Sequence, residues 1–218
     1  MSNDIYQTLA GPSYGEFKDR GSKFQAYAFP VYTEDDWQKQ LAEVKKMHNK
    51  ARHHCYAYRL GLDKNNYRAN DDGEPSGTAG RPILGQLDSF QVTNTFIVVV
   101  RYFGGTLLGA SGLINAYRNA AAEALKAAEI IEKTVEDIYG FHFDYAIMSN
   151  VMNAIKKHKL EMVKQDFQEK AYVEVAIRQS EVEATLKTMK AQIAEVHLEE
   201  VDDLEKIEGL EIKYKYVR

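Results

Sequence analysis

Two glycine-rich stretches hold the groups best able to do chemistry. The first is Asp71-Asp-Gly-Glu-Pro-Ser-Gly-Thr-Ala-Gly-Arg-Pro82, and Arg101-Tyr-Phe-Gly-Gly-Thr-Leu-Leu-Gly109 follows it. Pro75 and Pro82 bracket the first, and Gly73, Gly77 and Gly80 lie inside it, so neither a helix nor a central strand is expected there. The expectation is a shaped loop that fixes Asp71, Asp72, Glu74, Ser76, Thr78 and Arg81 in place. Loops held on a rigid scaffold carry a disproportionate share of binding groups.

Arg101 ends an apolar run, Phe96 to Val100. A guanidinium at the end of a buried strand is costly unless a carboxylate answers it, and Asp72 and Glu74 are the available partners. The other use of Arg101, with Arg52, is to contact phosphate or carboxylate on a ligand. Tyr102 and Phe103, beside a cation, suit stacking on bases of single-stranded RNA, or else plain core packing. Gly104 and Gly105 open two readings as well. Amides near Gly105 and the following helix start suit an anion. Alternatively, the glycines only permit a sharp turn and close packing.

Some chemistry is not expected. The turn at Gly104–Gly109 lacks the Gly-Lys-Ser/Thr ending of a phosphate loop, and Thr106 stands where the dinucleotide fingerprint needs glycine. No cofactor is therefore expected. His53 and His54, adjacent on a strand, point to opposite faces and do not easily serve one metal. No His-x-His, His-x-x-x-His or His-Glu-x-x-His occurs, so no metal site is expected. Cys55 reads as a small buried hydrophobe, with a Cys–His nucleophile pair left open. Ser76 and Thr78 suit turn hydrogen bonding. Three functional readings stand, the third a protein–protein adaptor that needs an exposed apolar patch. In the first, the Asp71–Arg81 loop, the Arg101–Gly105 turn and the basic residues from Lys50 to Arg68, with Arg52 and His53 among the contacts, form a binding surface without catalysis. In the second, the chain is a small enzyme on a phosphorylated or nucleotide substrate, with His54 or Glu74 as acid/base.

The elements that must position these residues are partly legible. Thr33 caps a helix whose third position is Asp36, close to a capping box, and Trp37, Leu41, Val44 and Met47 make its apolar face. Lys23–Tyr32 and His54–Leu60 read as strands; the second puts Cys55, Ala57 and Arg59 on one face and Tyr56, Tyr58 and Leu60 on the other. The β-branched run of Thr95–Tyr102 suggests a strand buried on both faces. A long helix is expected from Ser111 to about Ile131. Beyond it the pattern restarts. Tyr139–Tyr145 alternates as a strand, Met148, Val151, Met152 and Ile155 stripe a short helix, and strands follow at Glu161–Asp166 and Ala171–Arg178. Ser180 with Glu183 suggests a capped helix. Glu195–Val201 and Leu210–Val217 are the last strand candidates. The order β-α-β-β-α-β describes a ferredoxin-like split βαβ domain.

Bulk properties bound the rest. The 218 residues suffice for one large domain or two small ones, here divided as 1–134 and 135–218. The first part carries 16 Lys+Arg against 15 Asp+Glu, and the second 12 against 17. Neither is basic enough to advertise nucleic acid by charge alone. Lys50, Arg52, Arg59, Lys64, Arg68 and Arg81 still gather around the first motif, as a local patch or as a solvated mixed-charge surface. No run is apolar enough to span a bilayer and no secretory signal opens the sequence. With one cysteine no internal disulfide forms, which fits a reducing cytoplasm. The oligomeric state is not legible.

Asp72–Pro82, Val100–Gly109 and Gly112-Leu-Ile-Asn-Ala-Tyr117, with Ser22-Lys-Phe and Ala51-Arg-His-His-Cys-Tyr-Ala-Tyr-Arg59, together resemble the signature of the YigZ/IMPACT family, of the bacterial two-domain type. The resemblance spans roughly residues 15–130. It implies an α+β fold. The N-terminal domain is similar to the second domain of a small-subunit ribosomal protein and to domain IV of elongation factor G. The C-terminal ferredoxin-like domain is similar to domain V of that factor. Eukaryotic relatives bind a large ribosome-associated activator of a starvation-sensing kinase through a further domain that this sequence does not show. The resemblance therefore implies a translation-linked regulatory binding protein whose partner is RNA or a ribosome-associated protein.

Overall fold

The computed structural model describes residues 4–62, 65–168, 170–203 and 206–218. The chain divides into two compact units. One is Tyr6–Lys133; the other is Thr134–Arg218 joined by the described residues up to Ile5.

The first unit is built on a five-stranded antiparallel sheet of order β2-β3-β6-β4-β5, comprising β2 (Ser13–Asp19), β3 (Ser22–Pro30), β4 (His53–Leu60), β5 (Asn66–Asn70) and β6 (Thr95–Tyr102). β6 is central and buried almost throughout, as its β-branched run requires. Alternation sends its side chains to two cores. Phe96, Val98 and Val100 join Tyr56, Tyr58 and Leu60 of β4 and Trp37 and Val44 of α1 (Glu34–Met47). Ile97 and Val99 join Cys55 and Ala57 against α2 (Gly80–Ser89) and α3 (Gly109–Lys126). The expected division of β4 between two faces is thus present.

Local chemistry explains several boundaries. Thr33 Oγ1 accepts the Asp36 N–H at 3.2 Å, and Asp36 Oδ2 accepts the Thr33 N–H at 2.9 Å, so the capping box is complete. Two departures have physical causes. α2 occupies the end of the stretch expected to be loop, because Pro82 sits in its first turn, where no N–H is needed. α3 begins at Gly109 and ends at Lys126, before Ile131, because Ile130–Thr134 forms a strand, β7, paired with β1 (Ile5–Leu9). Neither β1 nor β2 nor β5 is evident from sequence pattern.

The second unit holds a four-stranded antiparallel sheet of order β11-β8-β10-β9: β8 (Glu136–Phe143), β9 (Glu161–Phe167), β10 (Ala171–Arg178) and β11 (Leu210–Val217). With α4 (Met148–Lys157) and α5 (Val182–Ala194) the chain order is β-α-β-β-α-β, two interleaved βαβ halves. Phe141, Phe143, Val173, Val175 and Ile177 pack on Val151, Ile155, Met189 and Ile193. Two local expectations fail. Ser180 does not cap α5, because its hydroxyl donates to Asp4, which also takes Arg178 Nε at 2.8 Å. The segment expected to be a strand from Glu195 is instead a short helical stretch, Leu198–Asp203.

Candidate functional site

β4 and β6 pair so that His53 lies opposite Arg101, and β3 and β6 so that Lys23 lies opposite Tyr102. The sequence motifs thus meet at one end of the sheet. By alternation, Arg101 and His53 belong to the face carrying α2 and α3, while Tyr102 and His54 belong to the face carrying α1. His54, Glu74 and Arg101 therefore do not converge. His54 Nε2 lies 3.2 Å from the His48 carbonyl, on the α1 side.

Arg101 is held from beneath. Its Nη1 donates to Glu74 Oε1 at 2.7 Å, and the Tyr117 hydroxyl donates to the same oxygen at 2.8 Å. The Cys55 sulfur lies 3.3 Å from the Tyr117 oxygen and 3.0 Å from the Asp71 carbonyl. Burial pushes both the Cys55 thiol and the Tyr117 phenol well above their ordinary ranges, so both stay protonated. This makes Cys55 a packing residue and not a poised nucleophile. Of the two expected partners for Arg101, Glu74 is the one used. Asp72 instead accepts the His54 backbone N–H at 2.7 Å. The guanidinium carbon lies 5.6 Å from the Phe24 ring centre and 5.7 Å from that of Phe103. Arg101 Nε is buried without a partner, and an unmet buried donor costs about 1–3 kcal/mol.

The Asp71–Arg81 loop is shaped chiefly by Asp71. Its carboxylate accepts the N–H groups of Gly77 at 2.8 Å, Ala79 at 3.0 Å and Gly80 at 2.8 Å. Burial works against the charged form, but these donors hold the carboxyl below its ordinary value. The last two cap α2, whose flanking residue Ala79 supplies no side-chain cap. Thr78 Oγ1 donates to the Pro75 carbonyl at 2.6 Å, the turn role expected of it. Ser76 on this loop and Arg81 in the first turn of α2 are exposed.

The turn after β6 is fixed by close approach. The Gly104 N–H donates to Ser22 Oγ at 3.1 Å, and a β-carbon on Gly104 would fall 1.9 Å from the Gly21 carbonyl carbon. Gly105 needs its freedom for φ of +88° instead. On the α1 side His48 bridges two phenols, with Nε2 2.7 Å from the Tyr27 oxygen and Nδ1 2.9 Å from that of Tyr102. A neutral ring does this by donating from one nitrogen and accepting at the other. Burial, aided by Lys23, lowers the His48 pKa and favours that form.

What remains open is a cleft of about 500 Å³ lined by Lys50, Ala51, Arg52, His53, Arg101, Tyr102, Phe103 and Leu107. Five of the residues expected to bind meet here: Arg52, His53, Arg101, Tyr102 and Phe103. Glu74 and Gly104 support the cleft without lining it. Ser76, Thr78 and Arg81 do not line it either. Of the other basic residues, Arg59 pairs with Asp88 at 2.5 Å, Arg68 is exposed on β5 away from the cleft lining, and Lys64 lies outside the described residues. Phe103 is 58% and Leu107 81% exposed. The roles of His48 and Tyr117 have no signal in sequence spacing, because each acts through partners far away in the chain. Among the described residues no three His, Cys, Asp or Glu side chains gather as a metal set, and no helix is long and apolar enough to cross a membrane.

Comparison with known proteins agrees with these motifs. Residues 20–125 match the model of the Impact N-terminal domain. The chain is 35% identical over 179 residues to IMPACT family member YvyE of Bacillus subtilis, covering 82% of each. It is 35% identical over 144 residues to IMPACT family member YigZ of Escherichia coli, covering 65% of this chain and 71% of that one. A solved structure described as a hypothetical protein aligns with TM-score 0.69 at 28% identity, over 88% of this chain and 92% of the other. The chain therefore belongs to the IMPACT family.

Proposed function

We propose that this protein is a translation-linked regulatory binding protein that recognises RNA, or a ribosomal component, through the cleft at the β4–β6 end of its first unit. The observation that carries the reading is the lining of that cleft. It has three cationic side chains, Lys50, Arg52 and Arg101, and no carboxylate, beside an exposed aromatic, Phe103. Cations contact phosphate and an exposed ring stacks a base without demanding a sequence.

The link to translation rests on the fold likeness that the family resemblance implies. We read the first unit as similar to the second domain of a small-subunit ribosomal protein and to elongation factor G domain IV, and the second as similar to elongation factor G domain V. The strand order β11-β8-β10-β9 supports the latter. The reading implies a cytoplasmic protein.

Arg52 and Phe103 are exposed, so Arg52→Ala and Phe103→Ala are expected to leave the fold intact. Affinity for a single-stranded RNA oligonucleotide should fall with salt in the parent protein. It should fall by about 1–3 kcal/mol when the stacking ring is removed. Folded variants that bind RNA as well as the parent would refute the reading, as would purification free of RNA and ribosomal subunits at low salt.

A further inference from the structure

We infer that the cleft takes the terminal phosphate of a single nucleotide, an RNA end, in preference to an internal stretch of strand; this rests on the RNA-binding reading above. The charge count is the first argument. Arg101 is answered by Glu74 directly beneath it, at 2.7 Å. The net positive charge offered to a ligand is then that of Lys50 and Arg52, with no acid in the lining. Two unanswered cations match a phosphomonoester, which carries about −1.5 to −2 at neutral pH, better than an internal diester with its single charge.

The second argument is the unmet donor. Arg101 has an 8% exposed side chain, lines the cleft, and keeps Nε buried with no acceptor. An anionic oxygen brought beside it supplies what the protein leaves unpaired. The exposed Phe103 ring lies beside this group, 5.7 Å from the guanidinium carbon.

The third argument is size. A cleft of about 500 Å³ with one exposed aromatic ring has room to stack one base. Binding of several successive nucleotides uses successive aromatic platforms along a groove.

The experiment compares one RNA sequence in five forms: 5′-phosphorylated, 3′-phosphorylated, hydroxyl-ended, circular, and reduced to the free mononucleotide. Binding to the full chain is measured by fluorescence anisotropy or calorimetry. The expected result is that one phosphorylated end binds about tenfold or more tightly than the hydroxyl-ended or circular strand. Arg52→Ala and Lys50→Ala, both on exposed side chains, should erase the preference without loss of fold. The mononucleotide binding nearly as well as the phosphorylated strand would assign the site to a free nucleotide and overturn the RNA-end assignment. Equal binding of all the strands would overturn this inference and leave RNA recognition standing, whereas no binding of any strand would overturn both.

Discussion

Arg101 Nη1 and Glu74 Oε1 lie 2.7 Å apart, with side-chain exposures of 8% and 4%. The pair ties the end of β6 to the loop that follows β5, and Tyr117 of α3 donates to the same carboxylate oxygen. Three elements thus meet on one buried charge beneath the cleft.

Removing either partner leaves the other charge buried and unanswered. Glu74→Leu is expected to cost about 3–5 kcal/mol of unfolding free energy, and Arg101→Met a comparable amount. The double variant should recover most of that loss, since apolar replacement of a whole buried pair is often neutral. Denaturant unfolding of the four proteins checks this. RNA affinity separates structure from recognition, because the double variant should fold yet bind poorly. Near-additive losses would mean that the pair has no coupling of its own.

The contrast between Thr33 and Asp71 explains how much of this was legible. Thr33 and Asp36 form a cap within one helical turn, so spacing reveals the helix. α2 is capped by Asp71, eight and nine residues before Ala79 and Gly80. Its start looks like loop because its capping group lies outside any local window. Ser180 errs the other way. It has the right spacing for a cap, but Asp4 claims its hydroxyl from 176 positions away. The strands of the sheet interior declare themselves by composition, whereas the short strands β1 and β7 depend on each other. At the site, the motif residues were readable as a set, but their division between two sheet faces required the register of β4 on β6.

Two neighbouring glycines should respond differently to alanine. At Gly104 a β-carbon would sit 1.9 Å from the Gly21 carbonyl carbon and 2.1 Å from the Ser22 nitrogen, backbone atoms that cannot swing aside. Gly104→Ala is expected to cost roughly 1–3 kcal/mol or more through forced backbone movement. Gly105 has open space and only its φ of +88° to defend, so Gly105→Ala should cost about 1–2 kcal/mol. Thermal unfolding ranks them. Gly105→Ala proving the more damaging would show that the Gly21–Gly104 contact yields easily.

His48 and His54 should make the first unit lose stability on mild acidification. Burial lowers both pKa values below the ordinary 6.5, and for His54 the nearby Asp72 and the His48 carbonyl only partly oppose this. The groups facing His48 are Tyr27, Tyr102 and Lys23; those facing His54 are Asp72, Lys45 and His48 itself. The unfolded chain takes up these protons first. The stabilisation is therefore complete above the unfolded value and declines as pH falls through about 6.5 toward the lowered folded values. His48→Gln should flatten that decline between pH 7 and 5. An unchanged slope in the variant would remove His48 as a contributor.

Cys55 provides a reporter of opening for the whole site. Its side chain is buried, its sulfur faces the Asp71 carbonyl and the Tyr117 hydroxyl, and burial raises its pKa far above that of a free thiol. Thiolate, the reactive form, is therefore scarce, and the native fold blocks reagent access. A disulfide-exchange reagent at pH 8 should leave the native thiol unmodified over minutes and titrate one thiol at once in denaturant. Because the thiol shares its network with Glu74 and Arg101, labelling of Glu74→Leu should be faster than labelling of Phe103→Ala, in which the buried network is intact. Labelling rates that are fast in the parent, or equal in the two variants, would show that Cys55 opens independently of the Glu74–Arg101 pair.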